Sequence, residues 1–502
     1  MTKKAFPVDN MVIIKVISML LIIESLAMSL AIPFSIHYGS RSLHFSTLMN
    51  GKDDLLALIL SAVLSLSVGI VGLLFSRKRQ QAKSEIGKRE GFVIVTLAWL
   101  IISLFGAIPF ILSGAIDNYT DAFFETISGF TTTGASILND IEAVPHGILF
   151  WRSMTHWIGG MGIIVLSLAI LPLLGVGGMQ LFMAEVPGPT PDKIHPRIGA
   201  TAKRLWAIYV ILTLVETGLL MLGGMSLFDG LCHAFGTLAT GGFSTQNSSI
   251  ADYSPYIQYV IIIFMTLAGI NFSLHYFALK GSIKKVTKDQ ELRLYLGLIA
   301  VATLYISVIL FFGKIHHAEE AFRQSLFQVV AIITTTGFVS YDYLQWPSFT
   351  WFIIVMLMFT GGCAGSTGGG IKISRLLLLF RNGRLEMRRQ VHPNAVIPVR
   401  VNKRAVPQKL VNNVLAFFII YILTFVFGSL VMSLMGLDFE SAIGATASSL
   451  GNIGPGIGSV GPVSNYAAIP TLGKWFLSFL MLLGRLELFT VLVLFTRSFW
   501  KH

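Results

Sequence analysis

Asp121-Ala122-Phe123-Phe124-Glu125 opens an apolar stretch that ends in Thr131-Thr132-Thr133-Gly134, and the same design returns three times further along the chain. Phe228-Asp229-Gly230-Leu231 leads into Ala239-Thr240-Gly241-Gly242, and Ala321-Phe322 leads into Thr334-Thr335-Thr336-Gly337. Phe439-Glu440-Ser441-Ala442 leads into Gly451-Asn452-Ile453-Gly454. Each lead-in stays apolar for only about 10–14 residues, the length of a re-entrant segment rather than a crossing. Longer apolar runs flank every one. Non-helical backbone survives at membrane depth only where protein buries it or where it lines water. Four such turns in one chain therefore point to a single shared aqueous path.

The flanking runs decide the fold class. The chain has 502 residues, 54% of them hydrophobic and only 12% charged, whereas soluble domains carry roughly 25% charged residues. Runs long enough to cross lie near 11–31, 55–75, 91–112, 147–174, 203–225, 257–279, 292–313, 350–380, 410–435 and 476–495. The expectation is an all-α integral membrane protein of ten transmembrane helices embedded in a lipid bilayer. Cys232 and Cys363 both fall in membrane-depth segments far apart in sequence, so no disulfide framework is expected. The first apolar run lacks a small-residue cleavage pattern and reads as a retained span.

A net charge of +12 could suggest nucleic acid, but its placement does not. Arg77, Lys78, Arg79, Lys83, Lys88 and Arg89 crowd one short loop; Lys280, Lys284, Lys285 and Lys288 fill a second. Arg381, Arg384, Arg388, Arg389, Arg400, Lys403, Arg404 and Lys409 occupy a third. With ten crossings all three lie on one side, which the bias of basic loops makes cytoplasmic, with both termini there too. Retention of basic loops in the cytosol accounts for the charge; docking of a cytosolic partner is the second reading.

The four turns divide the chain into an extra hairpin and basic loop (1–90) and four helix–pore-loop–helix repeats (91–202, 203–291, 292–409 and 410–502). Every repeat starts and ends in the cytosol, so a rotation about the membrane normal relates them, giving a pseudo-fourfold pore. Carbonyl oxygens of such turns can replace the water a cation sheds on entry. Each half-helix also aims its C-terminal end, worth about half a negative charge, at the turn it precedes. The candidate potassium filter is Thr131, Thr132, Thr133 and Gly134; Ala239, Thr240, Gly241 and Gly242; Thr334, Thr335, Thr336 and Gly337; and Gly451, Asn452, Ile453 and Gly454. Acidic residues near the outer ends of the half-helices have two readings: helix N-terminal stabilisation, or concentration of cations in an outer vestibule.

The run 350–380 is interrupted by Gly361-Gly362-Cys363-Ala364-Gly365-Ser366-Thr367-Gly368-Gly369-Gly370. Glycine costs about 1 kcal/mol against alanine inside a helix, so this block unwinds. Close helix packing would need glycine at every fourth position instead. A loop built on Gly361, Gly362, Gly365, Ser366, Gly368, Gly369 and Gly370, lying beneath the filter, would be a gate. The last span carries Arg485, and arginine near a bilayer centre must face a cavity or a partner. Arg485 is expected to point below the filter and donate to carbonyls of the 361–370 loop; an ion pair with Glu216 is the alternative. Glu487 stands two positions on and could not face Arg485 along a helix.

These turns, the glycine block and the arginine resemble the TrkH/TrkG type of bacterial potassium transporter within the wider Trk/Ktr/HKT superfamily. Trp157-Ile158-Gly159-Gly160-Met161-Gly162, Pro196-Arg197-Ile198, Thr201-Ala202-Lys203, Asn271–Tyr276 and Gly451–Gly456 add to the resemblance, which runs over nearly the whole chain. The resemblance implies a homodimer with one pore per subunit in the bacterial inner membrane. It also implies a TrkA-like cytosolic ring that binds NAD(H) or ATP/ADP, docks on the basic loops and acts on the gate. In that superfamily serine at the first aligned glycine goes with sodium, so four glycines imply potassium.

Enzyme chemistry finds no foothold: there is no His-Glu-x-x-His, no Gly-x-Ser-x-Gly and no Walker loop. Gly368–Lys372 lacks the spacing of a phosphate loop. A proton- or sodium-coupled symporter on the same scaffold stays open, with Glu24, Glu216 and Glu487 as the midplane carboxylates available to it.

Overall fold

A bilayer offers the backbone no partner but itself, so long apolar runs become helices. The computed structural model describes residues 10–39, 54–79, 88–165, 195–395 and 397–500. Among these, six helices are long and apolar enough to cross: Asn10–Tyr38, Asp54–Arg77, Arg89–Leu112, Thr201–Leu222, Gln290–Phe312 and Gln408–Leu434. Their outer faces present Leu222, Phe312 and Leu434 to the surroundings, an apolar exposure that suits lipid rather than water.

Two of the expected straight crossings are sharply bent instead. Pro255–Ala268 meets Phe272–Leu279 at 100°, and Thr471–Arg485 meets Phe489–Phe495 at 110°. The first bend follows from Asn271, whose side chain accepts from the Ser273 N–H at 2.9 Å and so starts a new helix. At the second, Glu487 takes a left-handed φ of 56°. Apolar length reports depth but not direction, which is why both runs read as single spans. Counting each bent pair as one crossing gives up to eight among the described residues. The expected 350–380 span is broken as anticipated, into Ser348–Met358 and Ile373–Val391 around the glycine block. The 147–174 span appears as His146–Val165; its remainder, like Lys83, lies outside the described residues.

One departure from an all-helical chain is a two-stranded antiparallel hairpin pairing Arg400 with Ala405 and Val401 with Arg404. Two large buried clusters hold the helices. One packs the N-terminal hairpin (Met28, Leu58) on the first and fourth half-helices (Phe123, Leu450). The other surrounds the third half-helix, Ala318–Ile333, with Ile261, Tyr295 and Ile354. Cys232 and Cys363 are buried and unpaired.

Candidate functional site

The four lead-ins are half-helices: Tyr119–Phe130, Leu227–Leu238, Ala318–Ile333 and Phe439–Gly451. Three carry a side-chain N-cap, where an oxygen takes an N–H the helix leaves unpaired. Asn118 accepts from Asp121, Ser226 from Asp229, and Asp438 from Ser441. Hydrogen bonds to Ser441 hold the Asp438 carboxyl below its ordinary value. Asp121 and Asp229 sit in first turns, which favours the helix-end reading of these acids, and Asp121 also pairs with Lys474 at 2.5 Å.

At their inner ends all four half-helices stop the same way. The N–H of Thr133 reaches Ser128 O, Gly241 reaches Gly236 O, Thr336 reaches Ala331 O, and Ile453 reaches Ser448 O, at 2.8, 2.8, 2.8 and 3.0 Å. This six-to-one bond closes a helix through one left-handed residue, a place glycine normally fills. Here it is Thr132, Thr240, Thr335 and Asn452, at φ of 52°, 56°, 59° and 55°. A left-handed β-branched residue is a genuine outlier, and such strain, roughly 1–3 kcal/mol per residue, gathers at functional sites. Two residues later Gly134, Gly242, Gly337 and Gly454 again take positive φ, between 77° and 101°.

These glycines form a closed circuit. A Cβ on Gly134 would overlap Gly241 O, one on Gly242 would overlap Thr336 O, and one on Gly337 would overlap Ile453 O. A Cβ on Gly454 would sit 2.8 Å from Thr133 O. Each glycine thus lets the next turn's carbonyl approach, and the fourth returns to the first. The first and third turns lie opposite one another, as do the second and fourth.

Buried polar groups brace the circuit from behind. Thr131 Oγ1 meets Thr133 Oγ1 at 2.8 Å, and Thr334 Oγ1 meets Thr336 Oγ1 at 2.7 Å. His156 spans two turns: Nδ1 lies 2.8 Å from Gly129 O, and Nε2 accepts from the Phe243 N–H at 3.2 Å. Nδ1 therefore carries the proton and donates. Arg152 Nε pairs with Glu125 at 2.7 Å, while Nη1 donates to Ser244 O at 3.0 Å. Glu125 in turn accepts from the Ile137 N–H at 2.8 Å. At the fourth turn Ser448 Oγ and Tyr466 OH both donate to Gly454 O, at 2.5 and 2.8 Å.

The glycine block packs against the inner ends of the half-helices. Thr367 Oγ1 donates to Leu238 O at 2.9 Å, and the Gly369 N–H donates to Thr335 Oγ1 at 2.6 Å. A Cβ on Gly369 would lie 2.5 Å from Gly451 O. Lys372 Nζ donates to Gly368 O. Gly361, Gly362 and Gly365 bond Ile371 O, the Ile373 N–H and the Phe272 N–H respectively. Arg485, the last residue before the 110° bend, donates to Thr367 O at 2.7 Å and to Gly159 O at 3.0 Å. Carbonyl partners, one of them in the 361–370 loop, thus take the place of the alternative ion pair with Glu216. Glu487 pairs with Arg375, whose guanidinium stacks 3.9 Å from the Phe417 ring.

On the side reached by the residues following the turns, a cavity of ≈ 150 Å³ is lined by all four glycines and by Arg152, Asn139 and Asn247 among others. Asn247 Nδ2 donates to Asp140 at 3.1 Å, tying two loops together there and holding the Asp140 carboxyl below its usual value. Sequence reasoning named every turn and the arginine but missed His156, Arg152 and Glu125. Only an ionic residue followed four positions later by histidine within an apolar helix could have flagged the first two.

Comparison with known proteins adds the family. A family model described as TrkH, cation transport protein, matches residues 61–501. The chain is 45% identical over 437 residues to the Trk system potassium uptake protein TrkH of Salmonella typhimurium, covering 86% of this chain and 90% of that protein. It is 36% identical over 422 residues to the Trk system potassium uptake protein TrkG of Escherichia coli K12, covering 83% and 86%. The crystal structure of the potassium transporter TrkH from Vibrio parahaemolyticus superimposes with a TM-score of 0.87 at 36% identity, covering 98% of this chain and 100% of that one.

Proposed function

The chain belongs to the TrkH family of cation transport proteins, and from that membership we propose that it takes up potassium through the four-turn circuit, with main-chain oxygens of the turns standing in for the ion's water. Relatives of this kind are membrane transport proteins rather than enzymes. The closed circuit of four glycines carries this conclusion. Four strained turns and the negative ends of four half-helices, with no fixed carboxylate among the turn residues, support a cation path through it. The 361–370 loop lies on the inner side of that axis and, with Arg485 gripping Thr367 O, acts as the gate. Its guanidinium opposes cation passage while the loop is in place.

The likeness to Trk proteins and the basic loops support the rest of the assembly. The transporter works as a homodimer in the inner membrane with both termini cytoplasmic, controlled by a cytosolic ring holding NAD(H) or ATP/ADP. Coupling to protons or sodium is the second reading, favoured by Glu24 and Glu216, which are buried at membrane depth at 3% and 0% exposure.

Rubidium and sodium uptake into liposomes bearing the full chain, with and without a proton gradient, tests both. Rubidium uptake should exceed sodium uptake and persist without the gradient; dependence on the gradient would transfer the case to symport. Gly134→Ser places a side chain against Gly241 O and should cut the rubidium-to-sodium ratio. An unchanged ratio in folded protein would remove the filter.

A further inference from the structure

Glu291 lies in the first turn of the Gln290–Phe312 helix, where a carboxylate ordinarily faces the positive end of the helix dipole. That task is already met, because Asp289 caps the helix by accepting from the Leu292 N–H at 2.8 Å. Glu291 reaches elsewhere. Its Oε1 accepts from the Ala364 N–H at 2.6 Å and from the Ser374 N–H at 3.0 Å.

Those two N–H groups stand on either side of the segment Gly365–Gly370. Ser374 is the second residue of the Ile373–Val391 helix, whose own N-cap, Lys372, contributes no capping side-chain bond. A helix start leaves its first N–H groups without partners, and here a carboxylate on a different helix supplies one. One oxygen therefore holds the entry and the exit of the loop together.

The holder is itself held. Gln290 Oε1 accepts from the Asn402 N–H and from Arg381 Nη1, each at 2.8 Å, and Asn402 Nδ2 donates to Asp289 Oδ2 at 3.0 Å. The turn bearing Glu291 is thus pinned to the short hairpin at residues 400–405. Arg485 meets the loop at Thr367, between the two ends that Glu291 ties.

We propose that Glu291 is a positioning residue that staples both ends of the glycine loop, so that the loop leaves its seat under the turns only when this carboxylate releases an N–H. The proposal rests on the gate role of residues 361–370. Rubidium leak through the full chain in liposomes, without any cytosolic partner, tests it with three variants side by side. Glu291→Ala should raise the leak about tenfold, as expected for losing two buried hydrogen bonds. Glu291→Gln keeps an acceptor oxygen and should stay within about twofold of the parent. The rubidium-to-sodium ratio should not move in either, whereas general loss of structure would change it. Faster amide exchange confined to 364–374 in Glu291→Ala, with 131–134 unaffected, would support the staple.

Arg485→Ala separates the two levels of the claim. If it leaks and Glu291→Ala does not, the staple is wrong and the gate stands. If neither leaks, the gate itself fails and the staple with it. A Gln variant as leaky as the Ala variant, or a lost selectivity ratio in both, would also overturn the staple.

Discussion

The first and third turns each carry a hydroxyl pair of their own, which the second and fourth lack. Thr131 and Thr133 touch hydroxyl to hydroxyl, and Thr334 and Thr336 repeat the contact on the opposite side of the circuit. The second turn has Ala239 and Gly241 at those places. Its support comes from His156, whose ring would collide with any side chain on Gly241 and whose Nε2 takes the Phe243 N–H. The fourth turn has Gly451 and Ile453, and its Gly454 carbonyl is held by Ser448 and Tyr466. One backbone geometry is thus reached by two routes. Where the hydroxyl pair is missing, other polar groups serve: His156 of a neighbouring helix at the second turn, and Ser448 of its own half-helix with Tyr466 of the following loop at the fourth.

The contrast can be broken by mutation. Gly337→Ala should have the largest effect, because its Cβ overlaps Ile453 O and a left-handed φ costs an L-residue roughly 1–2 kcal/mol more. Rubidium uptake should fall at least about a hundredfold in protein that still elutes as folded; each tenfold corresponds to about 1.4 kcal/mol. Uptake near the parent level would mean the circuit is not needed.

His156→Ala comes next. It leaves the Phe243 N–H buried without a partner, at about 1–3 kcal/mol, and empties the space of a fully buried ring, while Gly129 O keeps the Thr132 N–H. The melting temperature should drop and the rubidium-to-sodium ratio should fall with it. Tyr466→Phe removes one of two donors to Gly454 O and should cost about 1 kcal/mol, a few-fold in uptake. Thr334→Val should be mildest, about 1 kcal/mol: it takes one hydroxyl away from Thr336 Oγ1, while the Thr334 N–H keeps its bond to Val330 O. Melting curves of the four variants rank them. Should Thr334→Val prove costlier than His156→Ala, the division into turns with and without a hydroxyl pair collapses.

Much of this architecture was legible beforehand. Short apolar lead-ins before Gly134, Gly242, Gly337 and Gly454 marked re-entrant segments, because hydrophobic length is a local property that the bilayer reads directly. The glycine block marked a broken span for a similar reason: a run of such residues cannot remain helical. Arg485 announced itself because an arginine in an apolar run must find acceptors. Its partners proved to be Thr367 O and Gly159 O, which lie 118 and 326 residues away in sequence. The bends after Ala268 and Arg485 were not legible, since the apolar runs continue through them. Nor were His156 and Glu291, each a single polar residue whose purpose is set by what lies across the fold.

Amino-acid order alone determined that the chain enters the membrane, where it turns back, and which four glycines recur in step. Tertiary structure alone decided that the fourth glycine closes on the first, that threonines accept left-handed geometry, and that one glutamate joins the two ends of a loop. The physical reason is range. Burial of apolar length and the stiffness or freedom of the backbone act over a few neighbouring residues, whereas a carbonyl's partner can come from any part of the chain that packing brings within 3 Å of it.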